Sequence, residues 1–67
     1  MNLTPRQKHI KRKYTELTRV NGEWMPKLAI GVQSFTVSLG GTRDHARIIR
    51  DSLAIALSNL IELERMN

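Results

Sequence analysis

Tyr14 to Val20 is rich in Thr, Tyr, Val and Leu, and the dipeptide Asn21-Gly22 follows it at once. An Asn-Gly pair between two β-prone runs predicts a two-residue type I′ hairpin, because both central residues of that turn need positive φ. A turn of that length fixes the pairing: Val20 faces Glu23, Arg19 faces Trp24, Thr18 faces Met25, Leu17 faces Pro26 and Glu16 faces Lys27. Alternation then puts Leu17, Trp24, Pro26, Leu28 and Ile30 on an inward face and Glu16, Thr18, Glu23, Met25 and Lys27 on an outward one. Pro26 has no N–H to give a ladder, so its nitrogen must point away from a partner strand or sit at an irregularity. Trp24, the only Trp, goes with the inward set and is expected in the core. A second turn around residues 31–34 leads into Phe35–Leu39, which alternates strictly, with Phe35, Val37 and Leu39 inward and Thr36 and Ser38 outward.

Gly40-Gly41 stops this strand, and Thr42 is suited to cap the helix that follows, predicted over roughly residues 43–65. Ala46, Ile49, Leu53, Ala56, Leu57, Leu60 and Glu64 fall near one face, the stripe expected to pack on the sheet. At ~1.5 Å per residue the helix runs ~35 Å, longer than a sheet of three short strands can cover. Ile48, Ile55 and Ile61 lie off the stripe, and Ile61 and Leu63 lie in the overhanging turns. Those four residues are candidate contacts with a protein partner or a second copy. At the other end, Thr4-Pro5 reads as an N-cap followed by Pro at the first helical position, opening a flexible arm or short helix with Ile10 as almost its only apolar residue. With so little to bury, this arm is expected to fray when free and to add little to the core. The fold class is therefore α+β: a basic N-terminal arm over residues 1–13, then a single domain over 14–67 in which a three-stranded antiparallel sheet packs against one long C-terminal helix.

Length and composition limit the chemistry. A chain of 67 residues makes one small domain with a thin core. It has no Cys, hence neither a disulfide framework nor a Cys-based zinc site. The longest apolar run, Leu53 to Leu57, is far short of the ~20 residues that span a bilayer. The start of the chain carries charge without the apolar stretch of a signal peptide, so a cytoplasmic location is expected. His9 and His45 have no acidic or Cys companion at ligand spacing, and no paired carboxylates, nucleophile–base pair or P-loop is present. The expectation is a binding module, not an enzyme, with no catalytic residue, cofactor or metal.

Charge changes the picture most. The formal net charge is +5, and residues 1–13 account for all of it: Arg6, Lys8, Lys11, Arg12 and Lys13 meet no acid there, while residues 14–67 hold six bases and six acids. A short basic arm ahead of a neutral domain is attracted to phosphate backbones through counterion release, and to acidic protein surfaces by the same field. In the helix, Arg43, Arg47 and Arg50 lie at the start and Glu62 and Glu64 at the end, against the preference of the macrodipole. Arg43 and Arg47 are therefore a candidate secondary anion site. Pairing of the arginines with Asp44 and Asp51 explains the same pattern equally well.

Gly22-Glu23-Trp24 with Leu28, Val37-Ser38-Leu39-Gly40 and Ala46-Arg47-Ile48-Ile49-Arg50-Asp51 resemble, over about residues 14–58, the AP2/integrase type of DNA-binding domain. They are similar to its Gly-Lys-aromatic strand, its third strand ending in Leu-Gly and its Ala-Arg-Ala-Tyr-Asp helix. The resemblance implies an accessory or regulatory protein of phage or mobile-element type, with the exposed sheet face in the major groove of duplex DNA. The outward positions here are Glu16, Thr18, Met25, Lys27, Thr36 and Ser38, with Thr36 and Ser38 where the family has arginine and tryptophan. The arm and Arg19 are thus expected to supply most of the affinity, with Lys27, Thr36 and Ser38 as lesser contacts. A sheet backed by a helix that starts basic is also similar to a double-stranded RNA-binding domain, in which Arg43 and Arg47 would grip phosphates. The alternative is a protein-interaction module, a small inhibitor or adaptor, working through the neutral sheet face or the apolar overhang of the helix.

Overall fold

Five elements follow one another in the computed structural model, which describes residues 2–39 and 41–66. They are α1 (Pro5–Tyr14), β1 (Thr15–Val20), β2 (Glu23–Ile30), β3 (Gln33–Thr36) and α2 (Arg43–Met66). The sheet is antiparallel in the order β1-β2-β3. Asn21 (φ 52°) and Gly22 (φ 84°) make the tight turn between β1 and β2, and the pairing runs from Val20↔Glu23 to Thr15↔Leu28, in the expected register. Both helices pack on one face of the sheet, the face of Thr15, Leu17, Pro26 and Leu28; α2 lies over β1 and β2. Pro26 is fully buried there.

Pro26 also explains where the third strand departs from expectation. Gly31 (φ 62°) opens a second two-residue turn, so β3 starts at Gln33, opposite Ile30, and ends at Thr36, opposite Lys27. Val37 N–H still donates to the Pro26 carbonyl at 2.9 Å, but Pro26 cannot donate in return. The chain leaves the ladder at that point and rejoins β2 only at Trp24, whose N–H and carbonyl exchange two 2.9 Å bonds with Gly41. Ser38 consequently lies outside the strand. Phe35 and Leu39, expected inward, are 54% and 62% exposed, because β3 is at the margin of the layer that α2 covers.

The first residues are the larger correction. They are not an arm apart from the core: Thr4 and Gln7 form a reciprocal capping box, with Gln7 N–H donating to Thr4 Oγ1 (3.2 Å) and Thr4 N–H to Gln7 Oε1 (3.0 Å). The helix so started lies antiparallel along α2, tied by Arg6–Glu62 near its beginning and Lys11–Asp51 (3.8 Å) near its end. Ile10 is only 4% exposed, so one apolar side chain suffices to dock the helix. Packing α1 beside α2 rotates the buried face of α2 away from the expected stripe. Ala46, Ala54 and Ser58 are buried, with Arg50 half-buried in the same i, i+4 row, whereas Ala56 and Leu60 are exposed. The small side chains of that row let sheet and helix approach closely. Among the described residues no helix is long and apolar enough to cross a membrane, and no group of side chains is arranged to hold a metal ion.

Candidate nucleic-acid interface

Among the described residues the outward sheet face holds no free cation. Lys27, its one cation, sits 3.5 Å from Glu16 across the β1–β2 ladder, and the neighbouring outward positions are Thr18, Met25, Thr36 and Ala29. Thr36 is exposed beside Lys27, whereas Ser38, also exposed, lies beyond the end of β3. The sheet therefore presents hydroxyls, an internally paired lysine and the carboxylate of Glu23.

Helix α1 is different. Its buried side carries Ile10, with Tyr14, Gln7 and Lys11 half-buried, and leaves Arg6, Lys8, His9, Arg12 and Lys13 exposed. Arg6 is paired with Glu62 and Lys11 with Asp51, whereas Lys8, Arg12 and Lys13 meet no carboxylate among the described residues. Lys8 and Arg12 are one turn apart and form an outward ridge. Lys13 leans over the Tyr14 ring, 5.3 Å from its centroid, and faces a cleft of about 360 Å³ lined by Arg6, His9, Ile10, Tyr14, Ile61 and Arg65. His9 and Arg65 escape a reading of the sequence because Arg65 is brought to α1 only by the antiparallel packing of the helices. Three cations in the last turn of α1 also suit the negative end of its dipole.

A second cationic group lies at the other end of the sheet. The Arg19 and Arg43 guanidiniums stand 5.9 and 5.4 Å from the centroid of the Trp24 ring. Trp24 is thus half-buried, packed among cations, not sealed in the core. Thr42 caps α2, its Oγ1 accepting from His45 N–H at 3.2 Å. Arg47 is 3.8 Å from Asp44, one of the pairings expected from the sequence. Arg50 turns inward, donating from Nε to Thr15 Oγ1 (2.9 Å) and from Nη2 to the Thr15 carbonyl (2.8 Å). Asp51 pairs with Lys11 of α1, not with an arginine of its own helix. Of the four expected partner contacts, Ile48 and Leu63 are exposed, while Ile55 and Ile61 are half-buried.

Compared with known proteins, the chain matches no family model, no curated protein and no solved structure.

Proposed function

We propose that this protein binds duplex nucleic acid by gripping the phosphate backbone with α1, in a weakly sequence-specific manner. The distribution of ion pairs carries this reading: Lys8, Arg12 and Lys13 stay unpaired on one exposed helix, while Lys27 on the sheet is paired with Glu16. Arg19 and Arg43, flanking Trp24, add a separate point of positive charge for the backbone. Lys27, Thr36 and the sheet face are left with a minor part in this reading. Duplex DNA is the first candidate, in keeping with the AP2/integrase resemblance and an accessory or regulatory role. Duplex RNA is the second reading, favoured by one observation: α1 stands ahead of the three strands and α2, giving the helix–sheet–helix order to which a double-stranded RNA-binding domain is similar.

The test is a salt titration of affinity for DNA and RNA duplexes of equal length, by anisotropy of the labelled duplex. The expected result is a linear fall of log K with log salt, with a slope of roughly −0.9 per phosphate neutralised on DNA. Tighter binding of one duplex at matched salt decides between the two readings. Absence of binding at low salt would overturn both and leave the protein-interaction module.

A further inference from the structure

α2 carries a second apolar stripe that the fold leaves open. Ile49, Leu53, Ala56, Leu60 and Leu63 follow one another at spacings of four, three, four and three, the heptad spacing of a helix-on-helix seam. Ile49 and Leu53 are half-buried at the edge of the sheet, Ala56 is exposed, and Leu60 and Leu63 are each 58% exposed. By helical geometry the stripe lies nearly opposite the side that meets α1, where Asp51 and Glu62 are paired with Lys11 and Arg6. Among the described residues no other element covers it.

We infer that this stripe is the interface of a homodimer in which two copies of α2 pack antiparallel. Two properties of the helix select a second copy in that orientation. The first is spacing: an antiparallel pair centred between Leu53 and Ala56 sets Ile49 against Leu60 of the second copy and Leu53 against Ala56 of the second copy. The large–small Leu53–Ala56 pairs interdigitate at the centre, Ile49 meets Leu60 as two large side chains on either side of them, and every contact occurs twice, as a two-fold interface requires. The second is charge. Arg43 near the start of α2 and Glu64 near its end flank the stripe on one edge, while Arg47, Arg50 and Glu62 are held by Asp44, Thr15 and Arg6. In a parallel pair the seam edge that holds Arg43 and Glu64 would face the neutral edge of the second copy and the macrodipoles would align, whereas in the antiparallel pair it faces the same edge of the second copy, bringing Arg43 of each chain toward Glu64 of the other, and the macrodipoles oppose. The remaining seam edge, with Ser52 and Asn59, is neutral and adds no repulsion. The thin monomer core, in which Ile10, Ala46 and Ala54 are the buried apolar residues beside Pro26, is deepened by such a pairing.

The experiment uses the full chain. Sedimentation velocity over a range of micromolar concentrations is expected to show a dimer, and the Leu60→Gln/Leu63→Gln protein a monomer with the same helical circular dichroism. Both side chains are exposed in the single copy and the replacements are neutral, so fold and charge are kept. Because the natural chain has no cysteine, orientation is read separately by mixing Leu53→Cys and Ala56→Cys proteins under mild oxidation. The antiparallel register predicts the mixed disulfide in excess over either homodisulfide. A wild-type monomer at every concentration would overturn the proposal and hand the stripe to a different protein. So would a Leu60→Gln/Leu63→Gln protein that remains dimeric, or a failure to form the mixed disulfide.

Discussion

Thr15 joins α1 to the sheet and is 5% exposed, and Arg50 holds that junction from 35 residues away. The hydroxyl donates to the Lys11 carbonyl at 2.6 Å and accepts from Arg50 Nε, while the Thr15 carbonyl accepts from Nη2. One planar guanidinium thereby ties α2 to the end of α1 and the start of β1. Removing it takes a charged donor from two part-buried acceptors, a loss of about 1–3 kcal/mol. Arg50→Ala is expected to lower the unfolding free energy by that amount in urea titrations. Arg50→Lys should recover less than half of it, since an ammonium cannot reproduce the two-pronged geometry. The sequence groups Arg43, Arg47 and Arg50 on one side of a helix, but their fates diverge: Arg43 covers Trp24, Arg47 meets Asp44 and Arg50 turns inward. Helical arithmetic places side chains on a face and is silent about partners so far away along the chain.

Helix α1 docks the fold through Ile10 and, in the proposed function, grips phosphates, and substitutions can separate the two. Ile10 is its one fully buried apolar anchor, so Ile10→Ala should destabilise the protein by about 2–5 kcal/mol, a large share of the stability of so small a domain. Chemical denaturation followed by circular dichroism measures this. Deleting residues 1–13 is expected to unfold the chain for the same reason, and so it cannot test phosphate binding. The informative variant is Lys8→Gln/Arg12→Gln/Lys13→Gln, which leaves Ile10 and the paired Arg6 and Lys11 in place. It should keep the unfolding midpoint and reduce the DNA salt slope by up to ~2.7, three phosphates at ~0.9 each. An unchanged slope would remove α1 from the interface. The fold itself was only partly legible in the sequence. Asn21-Gly22 fixes the first hairpin because a two-residue turn leaves no freedom of register, and the Thr42 cap marks the start of α2. A helix that docks through a single isoleucine has too little apolar periodicity to distinguish it from a solvated tail. The end of β3 is set by a donor missing from Pro26 on the neighbouring strand, and the rotation of α2 by a helix packed from the other end of the chain.

At the scale of the whole molecule, the basic helix and the open stripe lie on nearly opposite sides of α2. A homodimer formed through the stripe therefore carries its two α1 ridges outward, and each is free to meet phosphates. Once one ridge is bound, the other meets the same duplex at an effective concentration near the millimolar range, provided that the geometry lets both engage. Affinity for a long duplex should then exceed that for a short one by more than the number of overlapping sites explains. Leu60→Gln/Leu63→Gln, which adds no charge, is expected to weaken binding to a long duplex by about 10²-fold or more. On a duplex too short to reach both ridges, the same variant should bind within a factor of about three of the natural protein, because one ridge makes the same phosphate contacts in monomer and dimer. Paired anisotropy titrations at fixed salt measure both. An equal loss on the two lengths would mean that the substitutions damage the ridge itself. An unchanged affinity on both, in a protein shown to dimerise, would mean that the two ridges never engage one duplex together, which places them facing away from each other and directs the dimer toward bridging separate duplexes.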